Sequence, residues 1–259
     1  MKIAVSGKGG VGKSTIAAAL SLLLAEEGKK VLAVDSDPDA NLASALGFSA
    51  EEQASIVPIS KQVDLIEERT GAKVNQYGQI FTLNPEVSDI AEKYATTHDG
   101  VALLVLGAIK RGGGGCACPE NVLVRALVAD LVLNNDDVLI MDMEAGLEHL
   151  GRATTSGVDT MLVVVEPGFR SVEGAKRIIE LAHQIRLSNI KFVANKVDGP
   201  DDEQYIKESL PDEDIIAFVP YSESLRRVDR PGKSVLSGID ANVREEFVRI
   251  LGSLDGENA

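Results

Sequence analysis

The strongest constraint on how this chain folds is a glycine-rich stretch near its start, Gly7-Lys8-Gly9-Gly10-Val11-Gly12-Lys13-Ser14-Thr15. It satisfies G-x-x-x-x-G-K-[ST], the pattern of a phosphate-binding loop. Its glycines let successive backbone N–H groups converge on phosphate oxygens, and the helix that follows adds the partial positive charge of its N-terminus. An apolar run at residues 3–5 precedes the loop, and a helix-prone segment at residues 16–27 follows it. The sequence therefore predicts a strand–loop–helix unit that binds phosphate groups.

Two side chains of the loop have defined tasks in this kind of site. Lys13 would contact the β- and γ-phosphates of a nucleotide, and the Ser14 hydroxyl would ligate Mg²⁺. The loop residues that we expect to contact the nucleotide are Gly9, Gly10, Val11, Gly12, Lys13, Ser14 and Thr15. A glycine-rich turn with an incidental lysine is the alternative, and the strand before and the helix after the loop argue against it.

Short continuous apolar runs alternate with helix-prone segments along the rest of the chain. The predicted strands cover residues 29–34, 101–106, 137–141, 160–165, 190–194 and 215–219, and the main predicted helices cover 16–27, 121–133, 172–187 and 241–254. This alternation is typical of a parallel sheet with helices on both faces. We expect an α/β fold of the P-loop NTPase type, with a mostly parallel sheet, as a single domain over residues 1–259. Within the ambiguous residues 51–84 we expect one or two short helices and a small strand pair around 77–83.

Charge and hydropathy exclude several classes of partner. The net charge of -14 argues against bulk affinity for nucleic acid or for an anionic membrane surface, and we expect neither as a partner. No apolar run approaches the roughly 20 residues of a membrane span. The first five residues are too short for a signal peptide before the glycine loop begins. We therefore expect a cytoplasmic protein.

Acidic residues follow two of the predicted strands, where open parallel sheets bind their ligands. Asp142 ends an apolar strand, as an acid that holds Mg²⁺ does. Asp35 and Asp37 follow another strand, and we assign Asp35 to the magnesium shell and Asp37 to orienting the attacking water. Gly146 could donate its N–H to the γ-phosphate. The alternatives are a helix cap or surface acid at Asp142 and an Asx-turn at Asp37-Pro38, which is compatible with a catalytic role.

These motifs resemble those of the MinD/ParA/nitrogenase-iron-protein group of deviant Walker A ATPases. The glycine loop is similar to the group's Walker A motif, Asp35-Ser36-Asp37-Pro38 to its switch I, and residues 142–146 to its switch II, although Met-Glu-Ala-Gly replaces the commoner Thr-x-x-Gly. The resemblance implies ATP and Mg²⁺ as cofactors and a homodimer that encloses two ATP molecules. It also implies that Lys8 reaches across the dimer to the partner's nucleotide as a catalytic residue.

The resemblance further indicates where adenine would bind. Asn195 and the loop of Pro220 and Tyr221 match the positions that hold adenine in the group. Lys196, directly after Asn195, joins them as a nucleotide-binding candidate.

The two cysteines of the chain lie one residue apart, in Cys116-Ala117-Cys118. Such a pair is not a disulfide framework, and zinc or a similar ion prefers four ligands, which a two-fold axis beside this loop would bring together. The tetraglycine before the pair would allow two backbones to approach. Pro119 suits a first helical turn and makes Cys118 the expected N-cap, where the helix would lower the pKa of its thiol. Two ordinary buried cysteines are the alternative.

The cysteine pair and residues 142–150 together resemble the CooC/AcsF type of accessory ATPase. This resemblance implies an ATP-dependent factor that inserts nickel into carbon monoxide dehydrogenase or acetyl-CoA synthase, with the client nickel enzyme as a partner. It also implies Ni²⁺, or Zn²⁺, at Cys116 and Cys118 on the dimer axis. The alternatives are an iron–sulfur electron-transfer ATPase like the nitrogenase iron protein and a positioning ATPase of the MinD/ParA type. Residues 242–259 lack the basic amphipathic pattern that a membrane-positioned protein would need.

Overall fold

The computed structural model describes residues 1–37, 40–74, 76, 78–107, 118–144, 157–228 and 232–255. Within these residues the strands are β1 (Lys2–Gly7), β2 (Val31–Asp35), β3 (Thr96–His98), β4 (Val101–Val105), β5 (Val138–Asp142), β6 (Thr160–Val165), β7 (Ile190–Val197) and β8 (Ile215–Pro220). They form one sheet in the order β3-β4-β2-β5-β1-β6-β7-β8. Of the pairings described, only that of β3 with β4 is antiparallel. The predicted mostly parallel sheet is confirmed.

Helices cover both faces of this sheet. In the described residues they are α1 (Lys13–Glu26), α2 (Leu42–Leu46), α3 (Ala50–Ser55), α4 (Val63–Thr70), α5 (Ile90–Tyr94), α6 (Pro119–Asn134), α7 (Phe169–Gln184), α8 (Pro200–Ser209), α9 (Glu223–Val228) and α10 (Ala241–Asp255). A short 3₁₀ turn spans Ile59–Lys61. No helix in these ranges combines the length and apolarity that crossing a membrane requires.

Two hydrophobic clusters lie on opposite sides of the sheet, and β1 shows how the sequence supplies both. Successive side chains of a strand point to opposite faces. Ala4 joins the cluster that α6 and α7 cover, while its neighbours Ile3 and Val5 join the cluster that α1 and α10 cover. A strand buried on both faces needs a continuous apolar run, which is the pattern of the predicted strands.

Several boundaries differ from the sequence prediction for local reasons. Helix α1 begins at Lys13, three residues before the expected start, because Gly12 ends the loop in a left-handed conformation with φ of 98°. Strand β6 matches its prediction at both ends. Strand β7 continues to Val197, beyond the expected end at residue 194, through an irregular register with β8.

The strand pair expected around residues 77–83 is wrong for the part of that stretch that the structure describes, residues 78–83. Ile80 is 99% exposed there, so the apolar residues that suggested a strand have no sheet to pack against. The Gln79 side chain instead bonds to the backbone of Lys73 and Gln76, which satisfies groups that a ladder would otherwise pair. The short helices expected in residues 51–84 are confirmed as α3 and α4.

Candidate functional site

A pocket of about 680 Å³ lies beyond the carboxyl ends of β1, β2, β7 and β8. The predicted site residues that line it are Gly9, Gly10, Gly12, Lys13, Ser14, Thr15, Asp37, Asn195, Lys196, Pro220 and Tyr221. Open parallel sheets bind ligands at this edge, because loops from several strands meet there. Residues separated by two hundred positions in the sequence therefore share one cavity. Their individual roles stay predictions.

The glycine loop has the backbone shape that its sequence requires. Gly10 and Gly12 have φ of 85° and 98°, in the left-handed region that favours glycine. A Cβ on Gly12 would also overlap the side-chain nitrogen of Asn195. Val11 between them is fully buried, so it anchors the loop from below while the glycines face the pocket.

Lys13 lines the pocket and forms an ion pair with Asp37. Its Nζ lies 3.4 Å from Asp37 Oδ2, and the lysine side chain is only 6% exposed. A low-exposure ammonium needs a counter-charge, and Asp37 supplies it here. The phosphates of a nucleotide would carry more negative charge than one carboxylate and would compete with Asp37 for Lys13.

Ser14 and Asp142 meet beneath the pocket. Ser14 Oγ donates a hydrogen bond of 2.5 Å to Asp142 Oδ2. The other oxygen, Asp142 Oδ1, is buried and has no hydrogen-bond partner within the described ranges. Burial raises the pKa of Asp142 from 3.8 to about 6. A buried carboxylate with an unused oxygen beside a hydroxyl is a donor set that suits Mg²⁺, which prefers oxygen ligands, so these residues fit the predicted cation.

Asp35 has a second task besides its predicted place in the magnesium shell. It is fully buried, and its two oxygens accept hydrogen bonds from the backbone N–H groups of Asp37, at 3.1 Å, and Leu42, at 3.0 Å. Burial, and then the neighbouring charge of Asp142, raise the pKa of Asp35 to about 7. The carboxyl group thus joins the end of β2 to the start of α2 and holds the segment that carries Asp37.

Lys8 lies beside α7. A Cβ built on Gly174 would be 3.5 Å from the Lys8 Cβ and 4.0 Å from its Cδ, so the lysine stem runs across a glycine of that helix. Lys8 is half-buried, and its stem packs against α7. Its predicted contact with a partner's nucleotide stays a prediction.

The adenine candidates Asn195, Pro220 and Tyr221 also line the pocket. Asn195 is 3% exposed and donates from Nδ2 to the Val11 carbonyl at 2.8 Å. Tyr221 is half exposed, and its hydroxyl donates to Glu223 Oε1 at 3.1 Å. Tyr221 and Pro220 offer apolar surface against which a base could lie, and whether adenine binds there stays a prediction.

The predicted cap of α6 is confirmed, but the predicted thiol pKa is wrong. Cys118 is the N-cap of α6 and Pro119 occupies the first turn. Burial raises the pKa of the Cys118 thiol, and Glu120 adds to that rise, which outweighs the helix terminus. Cys118 joins no group of three or more His, Cys, Asp or Glu residues in the described ranges. Cys116 and Gly146 lie outside the described residues.

One wall of the pocket was missed by the sequence analysis. It is formed by Asn41, Ala45, Ser222, Leu225, Arg226, Val228 and Val235, from α2, α9 and the segment before α10. These residues carry no motif, and only the tertiary fold brings them to the loop. Glu144 also lines the pocket. It lies within the predicted switch II, so that motif could have identified it as a candidate site residue.

Comparison with known proteins finds a matching family model, relatives and solved structures for this chain. Residues 2–235 match a family model described as the CobQ/CobB/MinD/ParA nucleotide binding domain. The carbon monoxide dehydrogenase accessory protein CooC of Rhodospirillum rubrum is 44% identical over 90% of this chain and 89% of its own length. An uncharacterized ATP-binding protein of Methanocaldococcus jannaschii is 44% identical over 97% of this chain and 96% of its own. The MinD cell division protein of Aquifex aeolicus has the same fold, with a TM-score of 0.68 at 22% identity, covering 99% of this chain and 97% of that one.

Proposed function

This chain belongs to the CobQ/CobB/MinD/ParA nucleotide-binding family, and on that premise we propose that it hydrolyses ATP to drive nickel insertion into carbon monoxide dehydrogenase or acetyl-CoA synthase. The observation that carries the ATPase half is the convergence of Lys13, Ser14 and Asp37 on one pocket, with Asp142 bonded to Ser14. A phosphate loop, a cation site and a carboxylate near the γ-phosphate position are the parts that phosphoryl transfer to water requires.

In the proposed reaction, the backbone N–H groups of the loop and Lys13 hold the phosphates of ATP. Asp37 accepts a hydrogen bond from a water molecule and orients its oxygen toward the γ-phosphorus. The water oxygen bonds to phosphorus while the bond from phosphorus to the β–γ bridging oxygen breaks. One water proton stays on the attacking oxygen and the other passes to a phosphate oxygen, which yields ADP and dihydrogen phosphate. Ser14 and Asp142 would hold Mg²⁺, which when bound neutralises charge on the phosphate oxygens.

The proposed role in nickel insertion is supported by a relative and by the cysteine pair. The relative named as a carbon monoxide dehydrogenase accessory protein is 44% identical over nine tenths of this chain. Each chain offers the thiols of Cys116 and Cys118, so a homodimer would supply four sulfur ligands to one ion. Metal coordination deprotonates a thiol, so it would overcome the raised pKa of Cys118. Dimer closure around ATP would assemble this ligand set, and opening after hydrolysis would release the ion to its client.

The test measures nickel binding and client activation under anaerobic conditions. Equilibrium dialysis with Ni²⁺ is done with and without ATP, using the wild type, Lys13→Ala and the double variant Cys116→Ser/Cys118→Ser. We expect about one Ni²⁺ per two wild-type chains, as four thiolates around one ion imply, and loss of that binding in the cysteine variant. Nickel-free carbon monoxide dehydrogenase and nickel-free acetyl-CoA synthase are then incubated separately with each protein, Ni²⁺ and ATP.

Activation of one client by the wild type alone would support the proposal and identify the client. Nickel binding that survives the double cysteine substitution would show that the metal site is elsewhere. A visible charge-transfer band in the purified protein that bleaches on reduction would indicate a bridging iron–sulfur cluster and favour the electron-transfer alternative. ATP-dependent binding to DNA or to lipid vesicles, without client activation, would favour a positioning ATPase.

A further inference from the structure

Two consecutive side chains at the end of β7 bond to consecutive carbonyl groups of the phosphate loop. Asn195 Nδ2 donates to the Val11 carbonyl at 2.8 Å. Lys196 Nζ donates to the Gly10 carbonyl at 2.5 Å and to Glu166 Oε2 at 3.0 Å. The loop is therefore held from outside by a strand that follows it by more than 180 positions.

The backbone of β7 is distorted where these contacts form. In a regular strand consecutive side chains point to opposite faces, so Asn195 and Lys196 could not both reach one loop. Here the register between β7 and β8 shifts between Ala194 and Val197, and Lys196 has φ of 59°, in the left-handed region that a lysine rarely adopts. Irregularities of this kind re-aim side chains and persist where the surroundings over-determine them.

The two carbonyl contacts set the directions of the opposing N–H groups. A peptide unit is planar, and its C=O and N–H bonds point in opposite directions. Holding the Gly10 carbonyl fixes the N–H of Val11, which points to the Lys8 carbonyl at 3.4 Å. Holding the Val11 carbonyl fixes the N–H of Gly12 on the side away from Asn195. The Gly10 contact thus supports the internal turn of the loop, and the Val11 contact orients the Gly12 amide, a group of the kind on which a phosphate-binding loop depends.

Stability alone is a weak reason for this arrangement. The Lys196 and Glu166 side chains are 42% and 36% exposed, and ion pairs of that exposure contribute little to the free energy of unfolding. The pair therefore offers little compensation for the strained backbone of Lys196. The strained backbone instead lets the Lys196 side chain reach the Gly10 carbonyl of the phosphate loop.

We propose that Asn195 and Lys196 are positioning residues that preorganise the phosphate loop, with Glu166 orienting the Lys196 ammonium. The inference rests on the proposed nucleotide binding and deepens it, because it assigns the pair to the phosphate end of the ligand. The resemblance alone assigns Asn195 to the adenine end and leaves Lys196 as a general nucleotide-binding candidate. The two assignments predict different responses to a ligand that has phosphates but no base.

The experiment uses inorganic tripolyphosphate with Mg²⁺ as a competitive inhibitor of ATP hydrolysis by the full chain. Lys196→Met, Glu166→Gln and Asn195→Ala are compared with the wild type. For Lys196→Met we expect KM for ATP and Ki for tripolyphosphate to rise together by about tenfold, the effect of losing one hydrogen bond to a charged group, with a smaller change in kcat. Lys196→Arg, which keeps a cationic donor, should recover part of the affinity, and Glu166→Gln should show a weaker form of the same change.

Lys207→Met is the matched control. Lys207 and Glu203 form an exposed pair at 3.1 Å on α8, outside the residues that line the pocket, so neither constant should change. A rise in KM for ATP without a rise in Ki for tripolyphosphate would place Lys196 on the base and overturn the inference. Constants equal to those of the wild type in both Lys196→Met and Asn195→Ala would overturn it as well, as would a wild type that tripolyphosphate does not inhibit. A wild type that neither binds nor hydrolyses ATP would instead reject the proposed function, and this inference with it.

Discussion

Asp35 and Asp142 lie opposite each other in register at the carboxyl ends of the neighbouring strands β2 and β5, and both are fully buried. Burial is the main cause that raises the pKa of Asp35 to about 7 and of Asp142 to about 6. A carboxyl group with a raised pKa holds its proton in the folded state after the unfolded chain has lost it. Its contribution to the free energy of unfolding therefore falls as pH rises from the ordinary value of 3.8 toward the folded value.

The substitution Asp35→Asn should have a stability cost that shrinks as pH rises. At about pH 5 the variant should be less stable than the wild type, because an amide NH₂ cannot accept the N–H of Asp37 or Leu42. Toward about pH 8 the wild-type carboxyl ionises at a cost that asparagine does not share, so the difference in Tm narrows. Thermal unfolding in EDTA across this range measures the difference without Mg²⁺.

Asp89→Asn is the control for this pH dependence. Hydrogen bonds from Arg69, and then from Lys93, hold the pKa of Asp89 well below its usual range. A lowered pKa gives a stabilisation that is complete above the ordinary value and is lost only as pH falls through the folded value. The Tm deficit of Asp89→Asn should therefore stay constant over the same window. A constant deficit for Asp35→Asn too would contradict the raised pKa.

Asp37→Asn should separate binding from hydrolysis. The Asp37 carboxylate pairs with Lys13 at 3.4 Å and faces the position proposed for phosphate. Removing its charge frees Lys13, so the Kd for ATP should stay the same or decrease. The loss of the group that orients water should lower kcat by about 10²–10⁴-fold. Single-turnover hydrolysis and titration with a fluorescent ATP analogue measure the two effects.

Lys13→Ala provides the contrast, since it should weaken ATP binding and hydrolysis together. An Asp37→Asn variant with a raised KM and an unchanged kcat would remove Asp37 from the chemical step. It would leave the carboxylate only as the counter-charge of Lys13.

The sheet and the phosphate loop could be predicted from sequence because their signals are local. A continuous apolar run specifies a strand buried on both faces, as for β6, whose ends both match the prediction. The glycine pattern specifies a loop shape that other residues cannot adopt easily. Pro119 likewise predicts the start of α6 and places Cys118 at its cap.

What could not be predicted depends on contacts between distant segments. The fall expected for the pKa of Cys118 follows from its helix, whereas the observed rise follows from burial that no local pattern encodes. The direction of the Lys196 side chain depends on its own left-handed backbone, which a lysine in the sequence does not signal. The pocket wall from α2 and α9 carries no motif at all.

Gly174→Leu should weaken ATP-dependent dimerisation if Lys8 acts across a dimer. A Cβ at position 174 would already be 3.5 Å from the Lys8 stem, so a leucine side chain would displace the lysine from α7. Light scattering after size-exclusion chromatography with an ATP analogue measures the dimer, and nucleotide binding by the single chain should persist. Gly174→Ala, at ordinary contact distance, should have little effect.

Gly252→Leu controls for the change of a helical glycine to leucine. Gly252 is exposed on α10, and a Cβ built there meets nothing within 4 Å. Its dimerisation should match the wild type. Equal dimerisation by Gly174→Leu and the wild type would show that the path of Lys8 along α7 has no part in assembly.

Gly47→Ala should disturb the pocket through the contact between α2 and residues 232–235. Gly47 ends α2 with φ of 103°, and a Cβ there would lie 2.8 Å from the backbone nitrogen of Ser234. The same crossing holds two pocket-lining residues together, because Val235 N–H donates to the Ala45 carbonyl at 2.8 Å. Separating the two segments should therefore lower the free energy of unfolding and also raise KM for ATP.

Gly71→Ala is the control that separates the predicted rise in KM from the cost of backbone strain. Gly71 ends α4 with φ of 74°, and a Cβ there meets nothing within 4 Å. It should cost only the roughly 1–2 kcal/mol of a left-handed alanine, with KM unchanged, whereas Gly47→Ala should cost more than that and change KM. Urea unfolding and steady-state hydrolysis compare the two variants. If both lose the same stability and keep the wild-type KM, the contact of α2 with residues 232–235 does not shape the nucleotide site.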